Sequence, residues 1–366
     1  MRVALIHYWL TGMRGGERVL EAFSRMFPEA DIFTHVIDRD RTSEQLLQHD
    51  IKTTFISKLP FAKTQYQKYL GFMPRALEEL DLSGYDLVIS SESGPAKGVV
   101  PSPDSFHLCY CHSPMRYIWD LYPDYVADAG KLAKTVFPRV AHKLRTWDTV
   151  SAARVDQFVA NSSFVARRIN KYYRRDAEVV FPPVDVSEFV PGKLSDRGDY
   201  FLAAGELVGY KRFDLAIDAC EQAGVPLIVL GGGSDLKKLK ARAGENVTFL
   251  DRVEFKVLKE LFQNCKALIF PGLEDFGMVP VEVMASGRPV IAYGKGGALD
   301  SVLPGVTGVH VEEQSVDGFA AAIRAFRPED YDQSSIVAHA QTFGVPVFER
   351  KIRSILKKAG FTPPQA

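Results

Sequence analysis

Pro271-Gly-Leu-Glu-Asp-Phe-Gly-Met-Val-Pro-Val-Glu-Val-Met-Ala-Ser-Gly-Arg-Pro-Val290 is the stretch from which the fold can be read. An apolar run, Ala267–Phe270, precedes it and reads as a buried strand; Pro289–Ala292 at its end reads as another. Between them Met278–Ala285 has the composition of a short helix, with Pro280 in the first turn, where a missing N–H costs little. Strand, loop, helix, strand at this spacing is a βαβ unit, whose strands lie parallel. Upstream the alternation continues with strand Tyr200–Ala204, helix Phe213–Gln222, strand Pro226–Leu230, a Gly231-Gly-Gly-Ser turn and strand Asn246–Leu250.

Residues 1–182 carry the same alternation. Val3–His7 reads as a strand and Tyr8–Gly15 as a loop. The helix that follows has Val19, Leu20, Phe23, Met26 and Phe27 on one face. Asp31–Val36, Tyr85–Ser90, Phe106–Cys111 and Gln157–Ala160 are further strands, and Asn161-Ser-Ser caps a helix over Phe164–Tyr172. Pro182-Pro183 ends this run, and polar Pro191–Asp199 extends the gap. The expected class is α/β: two Rossmann-like domains, 1–182 and 183–344, facing one another across a cleft. A closing helix, Val347–Lys358 within the segment 345–366, is expected to pack back on the first domain. In such sheets ligands sit beyond the carboxyl ends of the strands, so the strand-to-helix loops hold the candidate site residues.

The 366 residues carry 45 basic and 45 acidic side chains. Zero net charge excludes a globally basic nucleic-acid binder, and 46% hydrophobic residues exclude a disordered chain. The four cysteines lack the spacing of a zinc site or a disulfide scaffold and read as small apolar fillers in a reducing compartment. No apolar run is long enough to span a bilayer, and the start of the chain does not read as a signal peptide, so a cytoplasmic location is expected. Charge is nevertheless uneven. Residues 131–175 hold 11 Lys and Arg against Asp148 and Asp156, and Lys58–Arg75 interleaves basic side chains with aromatic and aliphatic ones. A solvated face and an anionic membrane surface each account for such patches.

Four constellations carry chemistry. Backbone amides at Phe276, Gly277, Met278 and Val279 open the helix after Ala267–Phe270 and form an anion site reinforced by the helix dipole. Glu274 precedes them and Glu282 follows, placed either to accept hydrogen bonds from sugar hydroxyls or to serve as ordinary surface acids. Lys211 and Arg212 sit in the loop after Tyr200–Ala204, where cations would stabilise a departing diphosphate; a basic helix start on the surface is the alternative. Gly15 and Gly16 let the backbone approach a ligand closely, and their register lacks the dinucleotide fingerprint. His112 ends an apolar strand, with Arg116 and Tyr117 close behind as acceptor contacts; alone, a strand-end His is as readily a structural hydrogen-bonder.

Glu274 and Glu282, with seven residues between them, and the continuation Ala285-Ser-Gly-Arg-Pro-Val-Ile-Ala-Tyr-Gly-Lys-Gly-Gly-Ala-Leu, resemble the Glu-x7-Glu signature of glycosyltransferase family 4, whose members are retaining enzymes of GT-B fold. The likeness leans toward bacterial mannosyltransferase-like members that assemble exopolysaccharide and O-antigen. The resemblance implies that Glu274 contacts the donor sugar, Glu282 the ribose, the amides of Phe276–Val279 the sugar and diphosphate, Lys211 the phosphates and His112 the donor sugar. It implies Gly15 and Gly16 facing the diphosphate. The family also has an Arg where Glu206 stands, which leaves the second phosphate-binding cation unassigned between Arg212 and Arg14. On this resemblance the co-substrate is a nucleotide-diphosphate sugar, GDP-mannose ahead of UDP-sugars, with a glycan or polyprenyl-diphosphate-linked acceptor and no cofactor or metal. A sugar-nucleotide 2-epimerase of the same fold and a non-catalytic sugar-binding protein remain as rival readings.

Overall fold

The computed structural model describes residues 1–128 and 130–364, without the side chains of Asp124, Asp128, Lys131, Leu132 and Ala133. Lys131 of the basic segment and the last two positions of 345–366 therefore lie outside the described side chains and residues. The chain forms two compact units. One comprises Met1–Phe181 with the chain from Glu349 onward, and the other Pro182–Phe348.

In the first unit the strands are β1 (Val3–His7), β2 (Asp31–Thr34), β3 (Ile51–Thr53), β4 (Leu87–Glu92), β5 (Phe106–Cys111), β6 (Gln157–Ala160) and β7 (Ala177–Val179). They hydrogen-bond in the order β3-β2-β1-β4-β5-β6-β7, every pair parallel. All five residues of β1 and all six of β4 are buried, the continuous burial of a sheet covered on both faces. Short β3 and β7, at the edges and only partly buried, carry no such apolar signal.

The second unit contains β8 (Phe201–Ala204), β9 (Leu227–Leu230), β10 (Val247–Leu250), β11 (Leu268–Phe270), β12 (Val290–Tyr293) and β13 (Gly308–Val311). Their order is β10-β9-β8-β11-β12-β13, again parallel throughout. Both sheets reverse winding direction beside their first strand, between β1 and β4 and between β8 and β11. At such a switch point the loops diverge and leave room for a ligand at the carboxyl ends of the strands.

Six helices matter below: α1 (Gly15–Met26), α2 (Lys131–Ser151), α3 (Ser163–Tyr173), α4 (Phe213–Ala223), α5 (Met278–Ala285) and α6 (Val345–Lys358). Gly15 does not belong to the preceding loop; it is the first residue of α1, because extended Arg14 is the N-cap and its N–H donates to the Glu17 carboxylate at 3.1 Å. Ser162 is the cap that starts α3, its hydroxyl accepting from the Val165 amide. The closing helix starts at Val345, with Pro346 in its first turn, and stops at Lys358 rather than running through 345–366. Gly360 follows at φ +89°, and Pro363-Pro364 cannot continue it. Its Ile352, Ile355 and Leu356 are buried, and the ring of Phe361 beyond it packs, tilted by 37°, against that of Phe106 at 5.4 Å in the first unit.

Much of the basic segment is structural. Arg145 donates to the Ile118 carbonyl, Arg154 to those of Gly98 and Val99, and Arg175 to those of Ala152 and Asp156. Buried Arg168 pairs with Asp120. Lys134, Arg139, Lys143, Arg167, Lys171 and Arg174 remain exposed. In the other patch Phe61 and Phe72 are exposed, at 75% and 56%, whereas Tyr66 and Tyr69 pack against the core. No helix among the described residues is long and apolar enough to cross a membrane.

Candidate functional site

The loops after β8 and β11 meet at the switch point of the second sheet. Lys211 ends a short 3-10 turn after β8, and its ammonium lies 3.0 Å from Glu274 Oε1 in the loop after β11. Both side chains are largely buried. Burial alone lowers the proton affinity of Lys211, but Glu274, Tyr210 and Glu206 outweigh it, and the net shift is upward. The amine therefore stays charged at neutral pH. Glu274 is fixed from behind by its own carbonyl, which accepts from the Gly297 amide at 2.9 Å, while Gln314 holds the Pro271 carbonyl at 2.8 Å.

Helix α5 starts immediately after this loop. Its N-cap is Gly277 at φ +83°, where an L side chain is strained; a Cβ there would also come 2.5 Å from the Phe270 ring. Gly277 supplies no side-chain cap, which leaves the first-turn N–H groups to an external acceptor. Phe276 is buried against Phe343 at 5.6 Å, so only its backbone can serve a ligand, while Met278 and Val279 are partly exposed. Glu282 sits one turn into α5, partly exposed. Lys211, Glu274 and the α5 amides thus belong to one loop cluster.

Of the two proposed substitutes for the family Arg, Arg212 binds Asp214, with contacts of 3.0, 3.1 and 3.3 Å, from a left-handed backbone at φ 56°. Arg14 is the N-cap of α1 in the other unit.

His112, Gly15, Gly16, Arg116 and Tyr117 all lie in the first unit. Gly16 lies against the Tyr8 hydroxyl and the His7 ring beyond the end of β1. His112 follows β5, and its Nε2 is 2.8 Å from the Ser91 hydroxyl on β4. Burial, assisted by nearby His7, lowers the His112 pKa to about 3, so the ring is neutral at physiological pH. A neutral ring can share a hydrogen bond with a sugar hydroxyl. Arg116 is partly exposed, whereas the Tyr117 hydroxyl is buried without a hydrogen-bond partner among the described residues.

Three features escape a reading of residue order. Ser91 fixes His112 but looks like any polar residue after an apolar strand. Buried His7 stands 3.9 Å from Glu17, and neither of its ring nitrogens has a hydrogen-bond partner among the described residues. Glu92, Lys97 and Asp148 form a buried ion cluster. The run Ser90-Ser-Glu-Ser at the end of β4 was the available signal, since polar residues in a buried strand need partners. All four cysteines are free and buried, and burial raises the thiol pKa of Cys111, Cys220 and Cys265, which suits inert fillers. Among the described residues, no group of three or more His, Cys, Asp or Glu could hold a metal ion.

Residues 13–188 match the family model described as Glycosyltransferase Family 4, and residues 187–341 the model described as Glycosyl transferases group 1. The D-inositol 3-phosphate glycosyltransferase of Geodermatophilus obscurus is 31% identical over 205 residues, covering 47% of this chain and 46% of its own. The alpha-1,3/1,6-mannosyltransferase ALG2 of Dictyostelium discoideum is 26% identical over 306 residues, 69% of this chain and 70% of its own. The chain thus spans about half the length of the first of these curated relatives. Among solved structures, Anabaena Alr3699/HepE in complex with UDP has a TM-score of 0.70 at 18% identity, covering 98% of this chain and 100% of that one, a likeness of fold that both Rossmann-like units share with GT-B glycosyltransferases. With the two family models together running from residue 13 to residue 341, this chain belongs to glycosyltransferase family 4.

Proposed function

We propose that the chain is a retaining glycosyltransferase that moves a sugar, mannose from GDP-mannose, from a nucleotide diphosphate to a hydroxyl of a glycan or polyprenyl-diphosphate-linked acceptor. The observation that carries this reading is the Lys211–Glu274 pair at the switch point, beside the uncapped N-terminus of α5. A cation and free amides receive a diphosphate, and a carboxylate next to them accepts from sugar hydroxyls. Mannose is supported by the name of the ALG2 relative, and a nucleotide-diphosphate donor by the UDP in Alr3699/HepE.

The chemistry follows from the charges. As the anomeric carbon–phosphate bond breaks, negative charge grows on the leaving diphosphate, where Lys211 and the Gly277–Val279 amides stabilise it. The acceptor hydroxyl attacks the face that the diphosphate leaves, and its proton passes to the departing phosphate oxygen. Glu274 and Glu282 orient the sugar and the ribose, and neutral His112 contacts the sugar. Neither a side-chain nucleophile nor a metal has a role in this scheme.

A donor screen by thermal shift tests the reading, because a ligand at a hundred times its Kd stabilises by about 2.7 kcal/mol. GDP-mannose should raise the unfolding temperature and UDP-sugars should raise it less. No shift with any GDP- or UDP-sugar would sink the proposal, and conversion of the donor without an acceptor would favour the epimerase.

The exposed Phe61 and Phe72 among Lys58, Lys63, Lys68 and Arg75 support peripheral docking on the inner, anionic face of a cell membrane. Vesicles containing phosphatidylglycerol should float the protein where neutral vesicles do not; equal flotation would contradict the electrostatic part.

A further inference from the structure

The loop after β5, residues 112–120, carries His112, Arg116 and Tyr117, and both its ends close on one buried ion cluster. At its entry the Glu92 carbonyl accepts from the amides of His112 at 2.7 Å and Ser113 at 3.4 Å. Near its exit the indole N–H of Trp119 donates to Asp148 Oδ2 at 2.8 Å. Lys97 joins the two ends. Its amide donates to Glu92 Oε2 at 2.7 Å, and its ammonium stands 3.7 Å from Glu92 Oε1 and against Asp148 Oδ1. Glu92, Lys97 and Asp148 are all fully buried.

Stability is a weak reason for three ionisable groups in a core, since well-packed apolar residues of the same volume do as well or better. Trp119 does not need Asp148 to be buried either, because its ring already stacks on Tyr172 at 4.6 Å and 11°. What the cluster adds is direction. A carboxylate fixed through Oδ1 by the Lys97 ammonium gives the indole N–H one acceptor position at Oδ2, and the Tyr173 hydroxyl at 2.9 Å is a second donor to that oxygen, not what places it. With Glu92 fixing the other end through its backbone, the loop has one path. Arg168 braces it independently, donating to the Ser113 hydroxyl at 2.7 Å and pairing with Asp120.

We infer that Asp148, held by Lys97, is a positioning residue: through Trp119 it sets the path of the 112–120 loop and so the presentation of His112, Arg116 and Tyr117 to substrate. The inference rests on the functional reading above for what the loop presents, but not for how the loop is held.

Trp119→Phe removes the indole N–H and keeps an aromatic ring on Tyr172. Tyr173→Phe removes the other neutral donor to the same carboxylate without touching the loop, and serves as the control for lost core stability. Hydrogen exchange by mass spectrometry should show the amides of peptides covering residues 112–122 exchanging at least about tenfold faster in Trp119→Phe, as expected for one hydrogen bond to a charged group. In Tyr173→Phe they should stay within about twofold of wild type at a comparable loss of melting temperature. With GDP-mannose hydrolysis as the probe, kcat should fall by about tenfold in Trp119→Phe at unchanged KM, and both should hold in Tyr173→Phe. Equal effects of the two variants on exchange and kcat, or an unchanged loop in Trp119→Phe, would overturn the inference. A wild-type chain that turns over no GDP- or UDP-sugar would sink the functional reading instead, and the exchange comparison would then decide the anchoring alone.

Discussion

Lys211 and Glu274 neutralise one another at 3.0 Å with only 15% and 13% of their side chains exposed, so an anion that reaches the cation competes with a carboxylate already there. Glu274→Ala removes that competitor along with the carboxylate proposed to accept from sugar hydroxyls. GDP should bind the variant as tightly as wild type or up to about tenfold more tightly, while donor turnover falls by about a hundredfold or more. Calorimetry and nucleotide release check both halves; GDP affinity that dropped with turnover would place Glu274 on the diphosphate instead. Glu206 adds its charge to that of Glu274 around Lys211. Glu206→Arg exchanges a repulsive neighbour for an attractive one and should tighten GDP binding by about tenfold, less at high salt; weaker binding would make Glu206 a donor ligand. These positions were legible in the sequence because chemically distinctive side chains fall in loops after apolar strands. His7 was not, since a histidine inside an apolar run looks like an interruption of the strand rather than a buried group 3.9 Å from Glu17.

At the level of elements, the orientation of α5 depends on Gly277. Gly277→Ala forces a Cβ to within 2.5 Å of the Phe270 ring at a φ of +83°. The variant should lose about 1–3 kcal/mol of stability and bind GDP several-fold more weakly, because the first-turn amides move with the cap. Unfolding followed by urea titration and calorimetry reads the two effects; an unchanged Kd in a destabilised protein would remove the α5 amides from the diphosphate site. Helix α5 itself was readable to the residue, since Pro280 and the following Ser-Gly mark its two ends. Central strands were readable because burial on both faces leaves unbroken apolar runs. Edge strands β3 and β7 were not, with three residues each and polar faces, and α2 was hidden by Pro138 and by the charges along it.

On the scale of the whole molecule, neutrality conceals two differently buried halves. Burial lowers the pKa of His35 to about 3, of His107 to about 4 and of His112 to about 3, all in the first unit. The unfolded chain protonates these rings near pH 6.5, so the stability they contribute is complete above that pH and is lost progressively as pH falls from there through about 4 and 3. Glu92 acts in the opposite sense. Burial raises it to about 8, so its contribution is present below pH 4.5 and is lost as pH rises from there through 8. In the second unit burial likewise lowers the pKa of His339. At about pH 5 the first unit should lose hydrogen-exchange protection before the second; simultaneous loss, or the reverse order, would show that the buried histidines do not set acid stability. The division into two units was visible at Pro182-Pro183, and the closing helix was expected to return to the first domain from residue 345; the return begins at Glu349, inside α6, a boundary that no local pattern announces. The central claim, retaining transfer from a nucleotide diphosphate, is tested most directly by incubating the wild-type chain with GDP-mannose and with UDP-sugars and following the anomeric proton by NMR. The account predicts release of a nucleoside diphosphate with a product of the donor's own anomeric configuration; an inverted product, or no nucleoside diphosphate released from any of them, would contradict it.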